Sequence, residues 1–528
     1  VNLNGHATRP AEICGDAIQI PAGALFVVSG YGRASGNFQE WQPSFGAGSG
    51  IQVGADSTFD INGQAIIGGD LQLLDGATLN ADSIETLSGS LVTVSGEATI
   101  NATSLDPVIL HDINLAELDP MPLHPRSGGP VDAVFTGAIN VTSPLVTIDG
   151  NKRLEGATLS VAGGSVLAFQ DETEVKDTII STTGTVQFNG PLTLTGATSV
   201  EVELLTFTAP LTISGDTTLV ASHVGIDPLP LTIDPNKRLT LNTDTITSQN
   251  QWHIGADAVA EIDTLSVWVS QGDVMLGGGS ATIGGQSFTS EATVTGNGAV
   301  FVELLATPRR WINDGKVIPG FSPGVIQVNG DYEQTDSAEL RIEIGGLTPG
   351  TEHDVLSVAG AATLDGYLIV ELLDQLSGSF LPALGDTFEV LTADGGLAGG
   401  FSAEVLPNLG PLLTLHVFYE PNAVKLAVVP ALSGDYNADG VVDAADYTVW
   451  RDSAGVIGIG LTADGDYDGH VTRLDYDIWA SHYGETLAGV VGVTQQTGPE
   501  PGAFASTLAA LFLGLASRLT FSRSGPSP

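Results

Sequence analysis

The sequence predicts a mostly β chain: a right-handed parallel β-helix (solenoid) over residues 1–312, then a β-rich closing domain over 313–430. A small α-helical unit with two loops follows at 431–485, and a linker with a C-terminal apolar helix occupies 486–528. Three observations carry this. From about residue 45 to 310 the chain alternates Thr, Val and Leu in short runs broken by Gly, Asp and Asn. Fragments of those runs recur with a period near twenty. Glycine is abundant, at 67 residues, while aromatic side chains make up only 6%, a mix suited to tight turns around a core of Val, Leu, Ile and Ala.

The repeats set the period. Gly76-Ala77-Thr78-Leu79-Asn80-Ala81-Asp82-Ser83-Ile84 returns as Glu97-Ala98-Thr99-Ile100-Asn101-Ala102-Thr103-Ser104-Leu105, an offset of 21 (98 − 77). The run from Pro191 to Thr198 returns as Pro210 to Thr217, an offset of 19 (210 − 191). A longer echo joins Ile148-Asp-Gly-Asn-Lys-Arg-Leu154 to Ile233-Asp-Pro-Asn-Lys-Arg-Leu239, an offset of 85 (233 − 148), about four coils. One coil cannot bury its apolar face alone, so stacked coils share a columnar core and the pattern has to recur. Leu79 and Ile100 are therefore expected to stack on adjacent coils, pointing the same way. A pile of antiparallel sandwiches fits less well, because the period is short and no Asn-Gly hairpin recurs.

Charge narrows the partners. Lys plus Arg number 17 against 61 Asp plus Glu, a net charge of −44. Such a surface repels nucleic acid, excluding it as a partner, and suits a cation-rich extracellular medium. Cys14 is the only cysteine, which excludes an intrachain disulfide and a cysteine metal site. The nine histidines show no ligand-like spacing. The N-terminus has no basic segment followed by an apolar one and begins with Val, so an export leader is expected upstream of this sequence.

Near Gly320 the texture changes. Gly320-Phe-Ser-Pro-Gly324 leads into VIQVNGDYEQ, AELRIEIGG, the block DVLSVAGAATLDG and GDTFEVLTA. This order, over about Pro319 to Ala393, resembles the passage that closes the repeats of autotransporter-type and planctomycete surface proteins. The resemblance implies a surface-displayed β-rich passenger and no reaction. Strands are expected to run to about Val429, with Pro430-Ala-Leu-Ser433 as the link onward.

The densest chemistry lies from Asp435 to Trp479. With Asp435 as position 1 of a loop, Asn437 falls at 3, Asp439 at 5, Gly440 at 6, Val441 at 7, Asp443 at 9 and Asp446 at 12. With Asp464 as position 1 of a second loop, Asp466, Asp468, Gly469, His470, Thr472 and Asp475 take the same places. Trp450 and Trp479 then stand at matching positions beyond each loop. Ca²⁺ takes six to eight hard oxygen ligands, and this spacing lets positions 1, 3, 5 and 12 converge while position 7 offers a backbone carbonyl and position 9 acts through water. Glycine at position 6 permits the sharp reversal. Two Ca²⁺ ions are expected, one per loop, with His470 contributing its carbonyl rather than its ring. A linker of Asp-Gly turns would have no reason to repeat Asp-Tyr-x-x-Trp in register.

The pair resembles a type I dockerin module, covering Gly434 to Tyr483. The resemblance implies two helices, calcium-dependent folding and a cohesin-like protein as partner, recognised through loop positions 10 and 11. Here those are Ala444-Ala445 and Arg473-Leu474, so the two halves differ.

After a polar linker, Pro499-Glu500-Pro501 precedes an apolar run from Gly502 to Ala516, with Arg518 and Arg523 beyond it. This order resembles a PEP-CTERM sorting tail. It implies membrane contact through 502–521 and later cleavage by an exosortase-type sorting protease. The reading that joins these parts is a non-enzymatic, secreted cell-surface or extracellular-matrix protein serving adhesion or structural display, with extracellular polysaccharide or a cohesin-like protein as partner. The alternatives are a polysaccharide-active β-helix enzyme, which needs clustered carboxylates and basic residues on one face, and a cohesin-binding scaffold component. Lys152-Arg153 and Lys237-Arg238 are expected at turns within a repeated motif, a structural role.

Overall fold

A computed structural model of the chain describes residues 2–5, 11–20 and 25–40 as backbone strands and residues 50–487, apart from 63, 68–69, 87–90, 105–107, 116–120, 128, 227–229, 249–250, 265–267, 285–287, 303–309 and 374–379. The expected apolar helix and the Pro-Glu-Pro motif lie outside the described residues. The chain divides into two compact units, Val1–Ile318 with Ile326–Glu339, and Pro319–Val325 with Leu340–Pro528.

The first unit is a parallel β-solenoid, and the whole chain is mostly β with about 11 solenoid turns. The repeats explain the register. Ala77–Ala81 pairs in parallel with Ala98–Ala102, setting Leu79 against Ile100, and both are fully buried. Leu192–Thr195 pairs with Leu211–Ile213, setting Leu194 against Ile213. Alternate residues along a strand face opposite sides, so stacked coils line up inward residues in columns. One column runs Ile139, Leu159, Ile180, Val200, Leu219, Leu241, Ile262. A second holds Ile148 above Phe169, Phe188 and Phe207, whose rings stack at 5.2 and 5.9 Å. A third passes from Phe135 through Leu154, Val175, Leu194, Ile213 and Ile233 to Ile254.

These columns correct the longer sequence echo. Ile148 and Ile233 lie in different columns, so the segments 148–154 and 233–239 do not stack. Their connections also differ, the left-handed residue being the third of the first segment, Gly150 (φ 76°), and the fourth of the second, Asn236 (φ 60°).

Lys152 is likewise not at a turn. It opens the strand Lys152–Glu155 and points inward, 2% exposed, with Nζ 5.6 Å from the Phe169 ring centre and 3.5 Å from the Asp171 carbonyl. Burial pushes its pKa down to about 8, against the pull of Asp171, Asp149 and Asp132. The outward residues form ladders between coils: Asn101 Nδ2 donates to Asn80 Oδ1, and Asn80 Nδ2 donates to Asp60 Oδ1. Ion pairs join Arg153 to Glu174, Lys176 to Glu155 and Arg238 to Glu261.

In the second unit, Asp354 ties two sequence blocks together. Its Oδ1 accepts the Gly324 amide at 2.7 Å and its Oδ2 accepts the Glu343 amide at 2.8 Å. The Ser-Pro-Gly turn, left-handed at Gly320 and Ser322, is thereby fixed to the strand Val355–Val358. Parallel pairing continues between Leu356 and Leu391 and between Ala362 and Leu397. It ends in an antiparallel hairpin, Leu413–Glu420 with Ala423–Pro430, whose second strand also pairs with Thr387–Ala393.

The only helices among the described residues are α1, Ala444–Ser453, and α2, Arg473–His482. Each begins with a capping box. Asp443 and Thr472 accept amides of their first turns, and Asp446 and Asp475 reach back to the cap amides.

Candidate metal centre

The two acidic loops use one set of hydrogen bonds twice. Asp435 Oδ2 accepts Gly440 N at 2.8 Å, and Asp464 Oδ2 accepts Gly469 N at 2.9 Å. Asn437 Oδ1 accepts Asp439 N at 2.9 Å, and Asp466 Oδ1 accepts Asp468 N at 3.3 Å. Asp439 Oδ1 accepts Val441 N at 3.0 Å, and Asp468 Oδ1 accepts His470 N at 2.8 Å. Gly440 and Gly469 both have positive φ, 87° and 84°, as the reversal at position 6 demands. Asp446 and Asp475 are fully buried, and each closes its loop onto backbone amides: Asn437 and Asp443 for Asp446, Gly465 and Thr472 for Asp475.

A second layer of bonds locks the halves together crosswise. Val471 exchanges bonds with Gly455 and Val456, after α1, while Val442 exchanges them with Glu485 and Gly484, after α2. These segments flank Val441 and His470, which form the bridge pairs Val441–Thr486 and Ile457–His470. Because peptide groups alternate sides along an extended segment, the groups of Val441 and His470 face their own loops. The Val441 and His470 amides, bonded to Asp439 and Asp468, follow that alternation. Trp450 Nε1 donates to the Thr472 carbonyl at 2.6 Å, and Trp479 Nε1 donates to the Asp443 carbonyl at 2.8 Å. A small core fills the centre: Tyr436, Val442, Ala463, Val471 and Trp479, with Tyr447, Trp450 and Tyr476 packed against it.

The loops differ in their acids. In the second loop, carboxylate oxygens of Asp464, Asp466 and Asp468 lie within 4.8 Å of one another. Asp464 is 2% exposed, and its Oδ1 is buried with no hydrogen-bond partner among the described residues. In the first loop Asn437 replaces one carboxylate, and Asp435 Oδ1 accepts Asp439 N at 3.1 Å. Burial raises Asp464 to about 6, helped by repulsion from Asp475, Asp466 and Asp468. Burial likewise raises Asp446 to about 6, and raises Asp435.

A buried carboxylate oxygen facing other carboxylates is costly without a cation. The donors are all oxygen, so the set fits a hard ion such as Ca²⁺. Asp464, Asp466, Asp468, the His470 carbonyl and Asp475 are the groups that would hold it in the second loop, with Thr472 placed for a water. Asp435, Asn437, Asp439, the Val441 carbonyl, Asp443 and Asp446 are the corresponding groups of the first. Asp443 and Thr472 are committed to capping α1 and α2 as well.

Sequence reasoning missed three neighbours. Tyr436 donates its hydroxyl to the Asp475 carbonyl at 2.6 Å, and that hydroxyl lies 2.6 Å from where a Cβ at Gly465 would stand. Tyr467, at position 4 of the second loop, is left-handed (φ 61°) and stacks on His416, centroids 4.1 Å apart. The one available signal was an aromatic residue where the first loop has Ala438.

No protein-family description matches the chain, and no curated protein matches it in sequence.

Proposed function

We propose that the protein is a non-enzymatic, exported component of a cell surface or extracellular matrix. Its solenoid serves as a spacer or adhesive display, and residues 434–483 form a Ca²⁺-dependent module of the type I dockerin kind. The observation that carries this reading is the twice-used hydrogen-bond set of the two loops, together with the buried, unpartnered Asp464 Oδ1. Two ions would neutralise carboxylates that otherwise repel across short distances.

The solenoid's basic residues support the non-enzymatic reading. Arg153, Lys176 and Arg238 each pair with a glutamate of a neighbouring coil, and Lys152 is enclosed in the core. The exposed Arg473 and Leu474 at loop positions 10 and 11 are the place for a cohesin-like partner, and extracellular polysaccharide is the other ligand class. Among the described residues no helix is long and apolar enough to cross a membrane. Membrane contact is assigned instead to 502–521, before cleavage near Pro499-Glu500-Pro501 by an exosortase-type protease.

The test is localisation of the intact protein on cells with and without calcium. Surface retention that chelation reverses supports the reading, and a calcium-indifferent intracellular pool overturns it. Release of reducing ends or unsaturated sugars from polysaccharide by purified protein would establish the enzyme instead.

A further inference from the structure

The two loops stand on different ground. Position 4 is left-handed in both, at Ala438 (φ 53°) and Tyr467 (φ 61°). Neither residue type adopts that conformation cheaply, since the side chain crowds its own backbone. At Ala438 the side chain is a single methyl group, with no ring to stack. At Tyr467 the ring lies flat on His416, 4.1 Å between centroids and 22° between planes, and meets Phe418 edge-on at 6.2 Å. His416 and Phe418 belong to the strand Leu413–Glu420 of the terminal hairpin. Ile459 and Tyr467 pack on the buried cluster of Phe418, Ala427 and Val429. Gly460, just before the second loop, fits where a Cβ would come within 2.9 Å of Thr387 and 3.0 Å of Ala427.

We propose that the hairpin Leu413–Glu420/Ala423–Pro430 is a positioning element for the second calcium site alone: His416 and Phe418 clamp Tyr467 and so hold the Asp464–Asp468 turn in its ion-ready shape. His416 and Tyr467 are positioning residues that touch no ligand atom. The inference rests on the calcium reading above and adds an order to it. The second loop, with three converged carboxylates and a clamped turn, loads first. The first loop, with Asn437 and an unclamped Ala438, loads second. Coupling of this kind is reciprocal, so an ion in the second loop must also steady the hairpin.

The test uses the full chain in two single-site backgrounds, Asp435→Ala, which leaves the second loop, and Asp464→Ala, which leaves the first. Calcium affinity is read by calorimetry. Removing an aromatic stack costs about three- to tenfold in affinity. His416→Ala should therefore weaken calcium by that factor in the Asp435→Ala chain and leave the Asp464→Ala chain unchanged. His416→Phe, which restores a flat ring, should recover the loss. Hydrogen exchange supplies a second readout: calcium should slow the amides of 413–430 in the Asp435→Ala chain only. Equal losses in both backgrounds, or none in either, overturn the clamp while leaving the calcium reading intact. Absence of calcium binding in both backgrounds overturns the calcium reading itself.

Discussion

Trp479 donates its indole hydrogen to the backbone carbonyl of Asp443, 2.8 Å away, and Asp443 is the residue that caps the helix bearing Trp450. Trp450 returns the contact to Thr472, which caps the helix bearing Trp479. Each loop is therefore braced by the other loop's helix.

Trp479→Phe removes one hydrogen bond from this brace and keeps most of the packing, so it should cost about 1 kcal/mol. Trp479→Ala also empties the centre of the small core and should cost about 3–5 kcal/mol. Thermal unfolding of the calcium-loaded chain, followed by far-UV circular dichroism, should rank the two variants in that order. No measurable cost for Trp479→Phe would mean that the indole packs without bracing.

Calcium removal should melt α1 and α2. Each helix has ten residues, too few to persist alone in water, and the loop carboxylates repel without a cation. Chelation should lower helical ellipticity and leave the β signal in place. Asp435→Ala and Asp464→Ala should each reduce the calcium stoichiometry from two to one.

Calcium binding should weaken as pH falls through about 6, where Asp464 and Asp446 take up protons. The sign follows from the direction of the shift. Both groups are raised in the folded chain, so the folded apo form holds protons that the unfolded form has released. Apo stability is therefore highest at low pH and is lost as pH rises from the usual carboxylate range to about 6. With calcium the order reverses, because the ion requires the ionised form. Titrations at pH 5 and 7.5 should separate by the protons released.

Lys152→Met should stabilise the solenoid at neutral pH. The folded chain holds this amine at about 8, below its ordinary value of 10.5, so its burial as a cation is unfavourable. The unfolded chain keeps its proton longer, and stability contributed here rises with pH between those two values. Replacement by an apolar chain of similar volume should add about 1–3 kcal/mol at pH 7 and abolish that rise. Denaturant unfolding at pH 7 and 10 measures both.

Asp354→Ala should destabilise the second unit by about 2–4 kcal/mol, since the Gly324 and Glu343 amides would lose a buried acceptor. Limited proteolysis should then cut near the Ser-Pro-Gly turn.

By itself the sequence determined the solenoid period and the twofold design of the acidic module. Both are local repeats: Leu79 and Ile100 sit in like surroundings because like neighbours surround them in the chain, and the two loops repeat one hydrogen-bond set because matching acidic and glycine positions recur at one spacing. Tertiary structure alone decided which corners stack, so the 148–154 and 233–239 segments, alike in sequence, part company in space. It alone enclosed Lys152, because the strand's inward phase overrode the residue's polarity. It also made the loops unequal. Tyr467 meets His416 only when a hairpin some fifty residues earlier in the chain (467 − 416) comes to lie beneath it, and no local pattern encodes a contact whose two halves belong to different elements.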